Sequence, residues 1–163
     1  MELWDAYHRD GTKAGVDLVR YEPIPDGLYH VVSEIIVRHT GGEYLVMQRD
    51  FNKKGWPGAY ECTAGGSALK GEGAYECAVR ELFEETGIKE TDLKYLGEEI
   101  VDRHHTIYHE YFCETSAPYG SVVLQEGETI SYKWVTPGEL REMIENGTVI
   151  SARRNRYVLE LME

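Results

Sequence analysis

The stretch GGSALKGEGAYECAVRELFEETGI, residues 65–88, constrains this chain more than any other: four glycines precede a helical run that gathers Glu81, Glu84 and Glu85 beside Arg80. The run reads as a helix from about Gly73 to Thr86, closed by Gly87 as a left-handed C-cap. At roughly 100° per residue, with Glu81 at zero, Glu85 falls at about +40° and Glu84 at about −60°. The carboxylates therefore share an arc of about 100°. Tyr75, Ala78, Val79, Leu82, Phe83 and Thr86 fill the adjoining arc, which must face a core, so the carboxylates are expected at its edge. Arg80 lies four residues before Glu84, where it can pair with that carboxylate.

One reading of such a face is a solvated surface with an i,i+4 ion pair. Against it, like charges about 4 Å apart repel by about 4 kcal/mol at an effective dielectric of about 20. Carboxylates beside a core then raise their pKa values or capture a cation. In TAGGSALKGEG the backbone is expected to lack regular partners, and carboxylate plus carbonyl oxygen is the ligand set of hard divalent ions. Mg²⁺ or Mn²⁺ fits better than zinc, because no Cys/His cluster has suitable spacing. Gly66 and Gly71 match GxxxxG, but Glu72 and Gly73 stand where a nucleotide-binding P-loop needs Lys and Ser/Thr. A GxGxxG dinucleotide fingerprint is absent as well.

With 163 residues, 42% of them apolar, the chain has material for one core, and a single domain over residues 1–163 is expected. A net charge of −12 argues against a nucleic-acid polymer as partner. An anionic ligand then calls for a metal. Cys62, Cys77 and Cys113 are odd in number and form no CxxC pair, which points to a reducing, cytoplasmic setting. MELWDAYHRDG has neither a basic start nor an apolar run, and no stretch approaches the roughly 18 apolar residues of a membrane span. A monomer and a homodimer are both compatible with the acidic surface.

Asp10-Gly11 signals an N-terminal β-hairpin over about residues 3–20. After Pro23 and Pro25, YHVVSEIIVR and EYLVMQR read as central strands joined at Gly41-Gly42. NKKGWPGAYE reads as an irregular loop, and TIYHEYFCET and YKWVT as further strands. Pro137 starts a helix in PGELREMIEN, and ARRNRYVLELME reads as an amphipathic helix. The fold class expected is α/β, a mixed sheet between helices.

The 66–88 stretch resembles the Nudix box, with Gly66, Glu72, Arg80, Glu81, Leu82, Glu84, Glu85, Gly87 and Ile88 filling every defined position. The resemblance implies the Nudix fold, an α/β/α sandwich around a mixed β-sheet, and metal-dependent hydrolysis of a nucleoside diphosphate linked to another moiety. By the same resemblance Glu81 and Glu85 are principal metal ligands, and Glu84 is a further ligand or the base. Arg80 orients a glutamate, Glu72 supports the loop, and a carbonyl of Gly65 or Gly66 completes the coordination. The chemistry agrees, since diphosphate hydrolysis needs charge neutralisation on phosphoryl oxygens and an activated water, and bound divalent ions supply both.

LWDAYHRDGTKAG and MQRDFNKKGWPGAYE resemble type I isopentenyl-diphosphate isomerases, which share the fold. On that analogy Arg49, Lys53 and Lys54 contact substrate phosphate, Glu110 is an isomerase-like glutamate, and His30 lies near an isomerase metal histidine. The competing readings are a basic surface loop, a solvent-facing strand residue and a core histidine. Ala64 stands where the isomerases carry their catalytic cysteine, and Cys62 is two positions too early to replace it. Isomerisation is thus the alternative to hydrolysis, as is a noncatalytic diphosphate-binding module. His104, His105 and His109 are expected to diverge, Glu126 and Glu128 to lie in a solvated loop, and Trp56 to be an anchor that can border a pocket.

Overall fold

A computed structural model describes residues 1–150 and 152–163. Asp10-Gly11 reverses the chain between β1 (Leu3–Tyr7) and β2 (Lys13–Val19), which pair antiparallel as a two-stranded sheet of their own. The Asp10 carboxylate accepts from the Thr12 amide at 3.0 Å and its hydroxyl at 2.6 Å, and Gly11 takes φ 85°, as a tight turn requires. The hairpin is anchored by Trp4, whose ring stacks on His30 at 4.4 Å.

The β-branched run HVVSEIIVRH forms β3 (His30–His39), the centre of the second sheet. It meets β4 (Tyr44–Arg49) antiparallel across the Gly41-Gly42 turn. The chain then passes through an irregular loop to β5 (Tyr60–Glu61), which pairs with β4. Next, β6 (Ala64–Ser67) lies antiparallel to the first half of β3. After α1 (Ala74–Thr86) come β7 (Lys94–Val101) and β8 (Thr106–Thr115). β8 runs parallel to β3 along its full length, and β7 pairs antiparallel with β8. β9 (Thr129–Val135) returns beside β4, and α2 (Pro137–Glu145) and α3 (Ala152–Leu161) close the chain. Pro137 occupies the first turn of α2 behind a capping box, with the Thr136 hydroxyl and Glu139 carboxylate each accepting from the other's amide.

Strand alternation sorts the core into two layers. Ile35, Val37, Leu45 and Met47 pack with Ala78 and Leu82 of α1. Ile36, Tyr44 and Val46 face the other way, onto Leu140, Met143, Tyr157 and Val158 of α2 and α3. The result is an α/β/α sandwich around a mixed sheet.

Two elements depart from the sequence reading. Residues 64–67 are a strand rather than a turn, because their glycines let β6 approach β3: a Cβ on Gly65 would stand 2.2 Å from the Ser33 carbonyl oxygen. The α1 helix is also rotated from the face its large side chains suggested. Tyr75 and Phe83 are exposed, and the buried positions are Cys77, Ala78, Leu82 and Thr86. On the wheel these span about −40° to +140°, so Glu81 and Glu85 lie within the buried arc, not at its edge. The small residues Ala78 and Cys77 permit close approach to the sheet, and the Ser33 hydroxyl fixes the first turn by donating to the Ala74 carbonyl at 2.7 Å.

Candidate functional site

The close packing of α1 carries its carboxylates to the open edge of β6. Glu85 Oε2 accepts from the Gly65 amide at 3.1 Å. The carboxyl group of Glu81 occupies the space a side chain at Gly66 would fill, since a Cβ there would lie 2.5 Å from Glu81 Oε1. Ladder alternation distinguishes the two candidate carbonyls. The Ala68 amide donates to the Val31 carbonyl at 2.9 Å, which makes Gly66 a ladder-bonded partner of Ser33 and turns Gly65 toward the edge. The Gly66 carbonyl also receives the Cys77 thiol at 3.3 Å. Gly65 is therefore the carbonyl that faces the glutamates.

Arg80 organises the cluster with all five guanidinium donors. Its Nε and Nη2 grip Glu72 bidentately at 2.7 and 2.9 Å. Nη1 reaches Glu81 at 2.7 Å and Glu84 at 3.1 Å, and Nη2 also donates to the Ser67 carbonyl at 3.1 Å. The hydrogen bonds to Glu72 lead in raising the Arg80 pKa further above its ordinary value. Burial pushes Glu72 up, but hydrogen bonds from Arg80 and the Leu69 amide outweigh it and leave its pKa below the usual value. Glu72 thus ties the loop before α1 to the helix.

Burial raises the pKa of Glu81, with Arg80 opposing in part. Burial holds Glu85 well above the ordinary carboxylate value, the neighbouring Glu81 charge adds to it, and the Gly65 amide opposes. Glu84 differs: its side chain is 40% exposed and turned to Arg80. Among the described residues no three Asp, Glu, His or Cys side chains stand assembled around an ion position, so the expected trio resolves into a partly buried pair and an exposed third. The pair fits a divalent cation. Two partly buried carboxylates that repel each other, a glycine that leaves room for one of them and a carbonyl at the strand edge form an oxygen-only donor set.

The carboxylates open onto a cavity of about 350 Å³. Val32, Glu34 and Tyr108 from the sheet line it, as do Glu61, Thr63, Gln125, Glu128, Arg49 and Lys53 from the strand ends and loops. Glu2 and Arg20 from the N-terminal hairpin complete the wall. Each lining cation meets a carboxylate: Arg49 pairs with Glu61 at 3.0 Å, Arg20 with Glu2 at 3.0 Å, and Lys53 with Glu128. Seven lining carboxylates face four cations, so the cavity carries surplus negative charge.

Several sequence expectations change here. Lys54 is exposed and stands over the Tyr21 ring at 5.2 Å, outside the cavity lining. Glu110 is fully buried within β8 rather than solvent-facing, and it does not line the cavity. Glu128 reaches the cavity, whereas Glu126 is exposed. His30 is held by Trp4 and by Thr106 at 2.9 Å, and burial lowers its pKa to about 4. His104, His105 and His109 diverge, with partners Arg103, the Leu28 carbonyl and Tyr95. Trp56 is 69% exposed. Ala64 and Cys62 are buried, and none of the three cysteines lines the cavity among the described residues. Glu34, Glu61, Tyr108, Glu2 and Arg20 were missed: strand parity would place Glu34 and Tyr108 on one face, but only the pairing of β3 with β8 brings them together.

A NUDIX domain family model matches residues 28–154. An uncharacterized Nudix hydrolase of Listeria monocytogenes is 30% identical over 151 residues, covering 92% of this chain and 89% of the relative. The crystal structure of DR0079 from Deinococcus radiodurans superposes with a TM-score of 0.79 over 98% of both chains, at 19% identity. The NUDIX domain of Shewanella oneidensis NrtR, complexed with ADP ribose, gives a TM-score of 0.58 at 16% identity over 76% of this chain and 82% of that one.

Proposed function

This chain belongs to the Nudix family and is a hydrolase of phosphoric anhydride bonds, and from that premise we propose that it uses Mg²⁺ to cleave the diphosphate of a nucleoside diphosphate derivative. The observation that carries the reading is the burial of Glu81 and Glu85 against Gly66 and the Gly65 amide. Nudix hydrolases use divalent ions, and Glu81, Glu85 and the Gly65 carbonyl would hold one here, with Glu84 within reach as a further ligand or base. A bound divalent ion neutralises phosphoryl charge and makes water nucleophilic near neutral pH.

The chain's own groups supply the rest. Arg80 holds Glu81 and Glu84 in place, and Glu72 holds Arg80. Glu84, the accessible carboxylate of the cluster, is placed to take the proton of the attacking water. Arg49 and Lys53 are the cavity cations nearest the β4–β5 loop, and they exchange Glu61 and Glu128 for phosphoryl oxygens when substrate enters. Water attacks one phosphorus, the bridging P–O bond breaks, and two phosphate-bearing products leave. A nucleotide-derived substrate is favoured by the ADP ribose complex of the Shewanella relative. Three buried free thiols suit a cytoplasmic setting, and no helix among the described residues is long and apolar enough to cross a membrane.

Mg²⁺-dependent hydrolysis of ADP ribose and other nucleoside diphosphate derivatives tests the reading. Glu85→Gln preserves shape and removes charge, and it should lower kcat at least about 100-fold. Retained turnover in Glu85→Gln or in Glu84→Ala would remove the proposed roles.

A further inference from the structure

The N-terminal hairpin precedes residues 28–154, the part matched by the family model, yet it forms one wall of the catalytic cavity. It is docked on the loop that leads into α1. The Lys70 amide donates to the Leu3 carbonyl at 2.9 Å, the Gly71 amide to the Asp5 carboxylate at 2.8 Å, and the Lys70 ammonium meets Asp17 at 2.6 Å. This docking places Arg20 on the cavity lining.

The next residue is unusual. Tyr21 adopts φ 72°, a left-handed conformation that costs a bulky side chain energy, and it is 80% exposed. So exposed a ring contributes little to the core, and a glycine would suit the turn better. The Tyr21 ring nevertheless lies 4.9 Å from the Arg20 guanidinium and 5.2 Å from the Lys54 ammonium, whose neighbour Lys53 also lines the cavity. An aromatic surface is thus held in a strained conformation directly after the cavity-lining Arg20, between cations from two different loops.

We propose that the Arg20-Tyr21 step is the substrate-reading edge of the cleft: Arg20 binds an anionic oxygen of the substrate, and Tyr21 stacks on a planar ring, a nucleobase, beyond the diphosphate. The inference rests on the diphosphate-hydrolase reading and adds the residues that would recognise the nucleoside end of the substrate. Arg20 can exchange its partially exposed Glu2 partner for a phosphate oxygen, and every nucleobase offers a face to a tyrosine.

The test is calorimetric titration of the full chain with ADP and with inorganic pyrophosphate, using Ca²⁺ in place of Mg²⁺ to suppress turnover. Tyr21→Gly should weaken ADP binding by about five- to 150-fold, the range of one base stack, and leave pyrophosphate binding within about twofold. Its Tm should be no lower than that of the parent, because glycine relieves the left-handed backbone. Arg20→Gln should weaken both ligands about tenfold or more. The inference is overturned if Tyr21→Gly binds ADP as tightly as the parent, if it loses both ligands equally, or if Arg20→Gln binds both unchanged. A parent protein that binds pyrophosphate and ADP equally well overturns this inference while leaving the diphosphate reading intact. Binding of neither overturns both.

Discussion

Gly65 and Gly66 are neighbours on one strand, yet the same substitution should damage them in different ways. At Gly66 a new Cβ would stand 2.5 Å from Glu81 Oε1, and ordinary contact begins near 3.4 Å, so the carboxylate must retreat by about 0.9 Å. The obstructing atoms are the end of a flexible side chain, and the backbone need not move. Gly66→Ala should therefore cost no more than about 1 kcal/mol of stability, the scale of one altered hydrogen bond. A displacement of about 1 Å in a metal-holding carboxylate is worth about 100-fold in rate, or about 2.7 kcal/mol of transition-state stabilisation. At Gly65 the new Cβ would stand 2.2 Å from the Ser33 carbonyl oxygen and 2.9 Å from the Glu34 Cα, both backbone atoms. Relief there requires β6 to move from β3, an overpacking cost of about 1–3 kcal/mol or more. For a chain of this size that is a fall in Tm of roughly 3–12 °C. Thermal unfolding and kcat/KM on one diphosphate substrate should thus separate the variants: Gly66→Ala stable and slow, Gly65→Ala unstable. Parental kcat/KM in Gly66→Ala, or a Tm loss equal to that of Gly65→Ala, would refute the reasoning.

Three further outcomes are expected. His30 is held neutral in the fold with its pKa lowered to about 4 by burial, then by His105, while the unfolded chain titrates near 6.5. The unfolded state therefore binds more protons between those values, and stability present above about pH 6.5 falls as pH drops toward 4, by about 3 kcal/mol; denaturant titrations across that window should flatten in His30→Asn. Burial, then the Glu81 charge, raises the Glu85 pKa well above the ordinary carboxylate value, so a cation must compete with a proton for it, and the Tm increment from Mn²⁺ should grow with rising pH; a pH-independent increment would contradict this. Arg80→Lys keeps the charge but loses the five-donor fork, which should cost about 2 kcal/mol, roughly 4–8 °C in Tm, together with most activity; an unchanged melting curve would count against Arg80 as the organiser.

Much of the architecture was readable from local chemistry. The Asp10-Gly11 hairpin, the β-branched strands at residues 30–39 and 106–115, the left-handed Gly87 and the proline start of α2 rest on turn, strand and capping preferences that act within a few residues. β6 was not readable, because Ala-Gly-Gly-Ser has no β-branched residue and becomes a strand only when β3 is present to receive it. β7 was hidden similarly, its ladder interrupted between Tyr95 and Gly97. In the site, the grouping of Arg80 with Glu81 and Glu84 followed from spacing, whereas Glu72 entered only through the resemblance and as a support of the loop. The rotation of α1 did not, because the bulky Tyr75 and Phe83 outweighed small Ala78 and Cys77 in a wheel that counts hydrophobicity and ignores how closely a helix can approach. Arg20 and Glu128 come from distant loops, and only tertiary docking brings them to one cavity.

The guanidinium of Arg80 also fixes which carboxylate oxygens of the cluster stay open to an entering ion. Its Nη1 engages Oε1 of Glu81 and Oε2 of Glu84, so a cation can enter at the other Glu81 oxygen and at Glu85 while the guanidinium stays in place. Coulomb attraction scales with charge, so a divalent ion gains twice what a monovalent one does from the same two carboxylates, while each must sit beside the positive guanidinium. The resting cluster thus carries a counterion of its own along one edge and keeps the other edge for a more highly charged one.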